Sequence, residues 1–148
     1  MLTWKPNHPH TSAQVVLIIS DPNKVSERWE TMLHQKGYAT VQETHKNALQ
    51  TCRVVDPALI VIDTHLSHAE RLMLCSKIRA ISTKPIILLV PDYKSNDMAD
   101  IYSVGVNECL LKPVSPAFLA VKTMSWLLRR NWLEFNPEFS PIYTSPFI

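Results

Sequence analysis

Short runs of aliphatic and β-branched residues alternate along this chain with segments whose apolar positions recur at helical spacing, and no other feature restricts the fold as much. Runs such as Ala58-Leu59-Ile60-Val61-Ile62 and Pro85-Ile86-Ile87-Leu88-Leu89-Val90 offer no polar face. As strands they must be buried on both sides, which calls for a parallel sheet covered by helices above and below. Residues 15–19, 38–42, 58–62, 85–90 and 107–111 read as the strands. Between and after them, five helices are marked by Val25, Trp29, Met32 and Leu33; Ala48, Leu49 and Cys52; Leu72, Cys75 and Ile78; Met98, Ile101 and Tyr102; and Phe118, Val121, Met124 and Leu128. Pro22 suits a helix start, Gly37 and Gly105 suit helix ends, and Asp56-Pro57 stops the second helix.

Five βα units predict an α/β, flavodoxin-like (βα)5 fold, a doubly wound parallel sheet with strand order 2-1-3-4-5. In that order the ends of strands 1, 3 and 5 share one sheet edge, where open parallel sheets bind ligands. Asp21 follows the first run, Asp63 the third, and Lys112-Pro113 the fifth. Two carboxylates and an ammonium placed together could hold a divalent cation and an anionic group. The expected organisation is a flexible leader over 1–13, one domain over 14–131, and an aromatic, Pro-rich tail or linker over 132–148. With Pro137, Pro141 and Pro146 interrupting Trp132, Phe135, Phe139, Tyr143 and Phe147, that tail is read as non-helical and packed on the domain or a partner.

Composition removes several classes of function. Only two glycines, Gly37 and Gly105, are present, so the backbone cannot wrap phosphates as GxGxxG and P-loop proteins do, and no Ser/Thr/Gly-rich FMN loop follows the first strand. A balance of 15 basic against 13 acidic residues argues against direct nucleic-acid binding by this domain. Cys52, Cys75 and Cys109 form no CxxC pair and read as buried thiols of a cytoplasmic protein. No apolar stretch is long enough to span a membrane, and residues 1–11 lack the apolar centre of a secretion signal.

With these residues in this order, the span from Val15 to Arg130 resembles the receiver domain of two-component response regulators. The resemblance implies phosphorelay signal transduction by a module that is not an enzyme. Asp63 would be the phosphoacceptor, Lys112 would contact the phosphoryl group, and Mg2+ would be held by Asp21, Asp63 and the backbone carbonyl of His65. It also implies a histidine kinase or phosphotransfer protein as donor, a possible homodimer through helix 4, strand 5 and helix 5, and a possible effector domain after residue 148. The Lys112-Pro113 step resembles a family feature whose peptide bond is commonly cis.

The chain departs from the family pattern at several positions. Ser20 stands where a first acidic residue is usual, which should weaken Mg2+ binding. Val90 replaces a hydroxyl-bearing switch residue, Pro91 has no N–H to donate, and Cys109 replaces an aromatic residue. Ser67 and Arg71 replace a loop Pro and Gly. These departures predict weak coupling between the acceptor and helix 4. They also leave open a second reading, a pseudo-receiver acting as a phosphorylation-independent interaction or dimerisation module. His65 and His68 form an HxxH pair that reads as a solvated loop.

Overall fold

The computed structural model describes residues 14–22, 28–92, 94 and 96–135, without the side chains of 130–135. Strands β1 (Val15–Ser20), β2 (Ala39–Glu43), β3 (Leu59–Asp63), β4 (Ile86–Val90) and β5 (Glu108–Leu111) form one parallel sheet in the order β2-β1-β3-β4-β5. This is the order the alternating pattern predicts. Helices α1 (Arg28–Gln35) and α5 (Pro116–Phe135) pack on one face, and α2 (Ala48–Val55), α3 (His68–Arg79) and α4 (Asp97–Ser103) on the other.

Strand side chains alternate between the two faces, so each central strand feeds two cores. Val16, Ile18, Val61, Ile87 and Leu89 meet Trp29 and Leu33 of α1 and Leu119 and Leu127 of α5. Leu17, Ile19, Ile60, Ile62 and Leu88 meet Cys52, Cys75, Ile78 and Ile101. Helix α1 closes at Gly37, whose φ of 91° is readily accessible only to glycine, with Tyr38 N–H donating to the Leu33 carbonyl at 3.1 Å. A 3-10 turn over His45–Asn47 leads into α2, which ends on Asp56 at φ 48° before Pro57. Val25 and both terminal segments, 1–13 and 136–148, lie outside the described residues.

The structure corrects the reading of α5 in two respects. Phe118, Val121 and Leu128, which mark the helix in the sequence, are 48%, 55% and 59% exposed, whereas Leu119, Ala120, Thr123 and Leu127 face the core. The helix carries two apolar stripes, and the sheet accepts the one bearing Ala120 and Thr123, both fully buried. The helix also continues through Phe135, so the first residues of the segment expected to be tail are helical. Arg129 therefore lies inside α5 rather than at its end, and its guanidinium stacks on Trp126 at 4.5 Å.

All three cysteines are free: Cys52 and Cys75 are buried, and Cys109 is half-buried. Burial pushes the Cys75 thiol up to about 12, so it packs as a neutral apolar group.

Two carboxylates tie acid stability to this fold. Burial alone would raise the Glu108 pKa, but donation from Lys122 Nζ and Trp126 Nε1, each at 2.8 Å, holds it below the ordinary 4.5. Glu43 is also held below 4.5, mainly by Thr51 Oγ1 at 2.7 Å and by the Thr44 N–H at 3.0 Å. A carboxyl whose folded pKa is depressed contributes stability above its unfolded value and loses it as pH falls through the folded one. Urea unfolding is therefore expected to show stability declining below the ordinary carboxylate pKa of 4.5. Lys122→Met should flatten the part of that decline due to Glu108.

Candidate functional site

The edge of the sheet at the C-terminal ends of its strands is built by register. Ser20 pairs with Asp63 across β1 and β3, and Val90 pairs with Leu111 across β4 and β5. Asp63 is the last residue of β3, while Asp21 and Lys112 stand one step beyond β1 and β5. The Lys112 N–H donates to the Val90 carbonyl at 2.8 Å, which carries the chain past β5, and the Lys112-Pro113 bond is cis.

Lys112 Nζ donates to Asp63 Oδ1 at 2.7 Å, with side-chain exposures of 35% and 14%. Asp21 Oδ1 accepts the backbone N–H of His65 at 3.2 Å, and Asp21 Oδ2 meets His65 Nδ1. The structure thus places Asp21, Asp63, His65 and Lys112 along one edge, in two directly bonded pairs. The His65 ring is 89% exposed, so its backbone rather than its imidazole belongs to the built part of the site. Two carboxylates and a backbone carbonyl are hard oxygen donors, a set that fits Mg2+ with its remaining positions filled by water.

Beneath this edge lies an acid that the sequence reading missed. Glu30 of α1 is 3% exposed, and its two oxygens accept from Gln42 Nε2 at 3.1 and 2.8 Å. Together with the buried Ser20, and with Asp63, it lines a small void on the α1 side of the sheet. Helical spacing was the available signal, because Glu30 shares a face with Leu33 three residues on.

The departures from the expected pattern have clear structural settings. Val90 is fully buried in the core under α3 and α4, and the exposed Pro91 begins the connection to α4. The Cys109 N–H donates to the Tyr102 hydroxyl at 3.2 Å, so α4 supplies an aromatic ring beside β5. Arg71, in place of a loop glycine, is 6% exposed and donates from Nη1 to the Leu66 carbonyl at 2.5 Å. Burial raises the pKa values of Cys75 and Cys109, and the Arg71 charge partly offsets that rise at both thiols.

Ser67 caps α3. Its Oγ accepts the Glu70 N–H at 3.2 Å while Glu70 Oε1 accepts the Ser67 N–H at 3.0 Å, forming a capping box that starts the helix without proline. Ser67→Ala is expected to cost about 1 kcal/mol in chemical denaturation, with Ser67→Asn recovering most of it. The solvated-loop reading of the HxxH pair fits His65 but not His68, which turns toward Asp97 and Asp100 of α4.

Residues 16–123 match the family described as the response regulator receiver domain. The regulatory protein VanR of Enterococcus faecium is 27% identical over 115 residues, covering 77% of this chain and 50% of that protein. The transcriptional regulatory protein BaeR of Escherichia coli is 28% identical over 116 residues, covering 78% and 48%. The chain spans about half the length of the curated relatives it matches. Among solved structures, a two-component response regulator from Clostridium difficile superposes with a TM-score of 0.70 at 24% identity, covering 80% of this chain and 98% of that one. A CheY-like receiver domain protein from Methanospirillum hungatei gives 0.70 at 20% identity, covering 81% and 98%. No helix among the described residues is long and apolar enough to cross a membrane.

Proposed function

Because this chain belongs to the response regulator receiver domain family of two-component signalling, we propose that it acts in the cytoplasm, where Asp63 accepts a phosphoryl group from a histidine kinase or phosphotransfer protein. The observation that carries this reading is the 2.7 Å pair between Lys112 Nζ and Asp63 Oδ1 at the sheet edge. A carboxylate attacks a polyanionic phosphoryl donor only when the charge on the phosphoryl oxygens is neutralised. Asp63 supplies the attacking oxygen. The phosphorus–nitrogen bond of the donor phosphohistidine breaks, and its electron pair returns to the imidazole, which takes a proton.

Lys112 neutralises one phosphoryl oxygen from the β5 side. Asp21, Asp63 and the His65 carbonyl would hold Mg2+, which when bound supplies further charge neutralisation. With Ser20 in place of a carboxylate, that affinity is expected to be modest.

Tyr102, Leu111, Phe118 and Val121 place exposed apolar surface on α4, β5 and α5. This supports a homodimer through that face, or an effector docking there. The names and greater length of the relatives support a read-out domain following residue 148. Val90 and Pro91 supply neither a hydroxyl nor an N–H where the family uses them, so the acceptor is expected to be weakly coupled to α4.

Incubation with acetyl phosphate and Mg2+, followed by intact-mass measurement, is the test. A gain of one phosphoryl group is expected. No gain under conditions that label an active receiver domain would refute the acceptor role and leave the pseudo-receiver reading.

A further inference from the structure

We propose that His68, Asp97 and Asp100 form a transition-metal site that joins the first turns of α3 and α4, apart from the Asp63 cleft. His68 Nε2 lies 3.5 Å from Asp97 Oδ1 and 3.7 Å from Asp100 Oδ2, and the three ligand atoms lie within 4.8 Å of one another. Asp97 and Asp100 are three residues apart on α4, so both carboxylates share one helix face. The His68 side chain is 32% exposed, yet Nε2 itself is shielded from solvent and has no hydrogen-bond partner among the described residues. A shielded imidazole nitrogen that faces two carboxylates but bonds to neither has the placement of a metal ligand.

The surrounding geometry supports the site. Donor atoms around a four-coordinate Zn2+ with bonds of about 2.0–2.2 Å sit roughly 3.4 Å apart, so the two imidazole–carboxylate separations are close to what an ion requires. Asp97 Oδ2 accepts the Lys94 N–H at 2.7 Å, which orients the carboxylate with Oδ1 toward His68.

The imidazole selects Zn2+, Co2+ or Ni2+ over Mg2+, so this ion would not be the one held by an all-oxygen set at Asp63. Three protein ligands leave one position for water. The consequence is a clamp. Metal binding fixes the first turn of α4 to α3, giving the Tyr102-bearing helix a second input that needs no phosphoryl group. The proposal rests on this geometry and not on the acceptor role of Asp63.

The test uses the chelator-treated full chain, titrated with Zn2+ by calorimetry and with Co2+ by absorbance. Long-range 1H–15N NMR then follows each of the six histidine side chains. Zn2+ is expected to move the His68 Nε2 resonance and to slow amide exchange in residues 97–100 by about tenfold. His68→Ala and Asp97→Asn should each weaken that binding by at least about tenfold. His65 also contacts a carboxylate, Asp21, so the double variant Asp21→Ala/His65→Ala tests the rival location and is expected to change the affinity less than about twofold. A His68 Nε2 resonance unmoved at saturating Zn2+ overturns the proposal, as does loss of binding in the double variant while His68→Ala binds normally. The resonance is measured on the native chain, so its response to Zn2+ does not depend on whether a variant folds.

Discussion

The Asp63→Ala chain is expected to gain no phosphoryl mass from acetyl phosphate, and Lys112→Met is expected to gain it about 10²-fold more slowly than the native chain. The first result follows because the attacking oxygen is gone. The second follows from charge. Lys112 Nζ, 2.7 Å from Asp63 Oδ1, is the one cation among the described residues shown bonded to that carboxylate, and it approaches from β5 where a transferred phosphoryl oxygen would need it. Lys112 is 35% exposed, so water screens part of the attraction in the ground state, and the loss is expected to appear chiefly in rate. Lys112→Arg should recover only part of the rate, because a planar fork on a longer side chain does not replace a compact ammonium. Intact-mass time courses decide the matter. Equal labelling of Asp63→Ala, or native rates in Lys112→Met, would remove the basis for the proposed chemistry.

Arg79→Ala is expected to destabilise the fold by about 3 kcal/mol, read from urea midpoints at unchanged m-value. Its guanidinium joins the turn that follows α3 to the Gly105–Asn107 connection, 26 to 28 residues further along the chain. Nη1 donates to the Ser82 and Lys84 carbonyls, each at 2.8 Å. Nη2 donates to the Gly105 carbonyl at 2.7 Å and to Asn107 Oδ1 at 2.8 Å, and Nε reaches the Gly105 carbonyl at 3.2 Å. Asn107 Oδ1 also accepts the Ile86 N–H at 2.9 Å, so one side chain organises the entries to both β4 and β5. Charge-assisted bonds to carbonyls are individually worth about 1.5–3 kcal/mol, and half-burial and replacement by water reduce the sum to the figure given.

Lysine cannot reproduce this fork, so Arg79→Lys should recover less than half of the loss. Gly105 supplies an independent check. It sits at φ 101°, and a Cβ there would meet Arg79 Cγ and Nε at 2.8 Å. Gly105→Ala should therefore cost less in the Arg79→Ala background than in the native chain, a coupling that a double-mutant cycle measures.

Much of this architecture is legible in one dimension because its signals are local. A continuous apolar run makes a doubly buried strand wherever it lies, and Asp56-Pro57 and Gly37 stop helices through their own backbone constraints. The placement of Asp21, Asp63 and Lys112 at one edge follows from strand order, which the βα alternation dictates. Glu30, Arg71 and His68 were not legible in the same way. Glu30 shares a helix face with Leu33, but spacing alone does not separate a buried acid from a solvated one, and nothing local in α3 marks the partners that Arg71 and His68 meet.

Period and turn chemistry act over a few residues, so the strands, the presence and order of the five helices, and the acids and amine at strand ends are all legible in the sequence, while the extent of α5 is not. Tertiary structure alone decided which apolar stripe of α5 enters the core, how Arg71 is buried beneath the loop, and that His68 faces Asp97 and Asp100. These outcomes depend on which surfaces meet when separate elements pack, and contacts between residues distant in the chain leave no periodic trace in it.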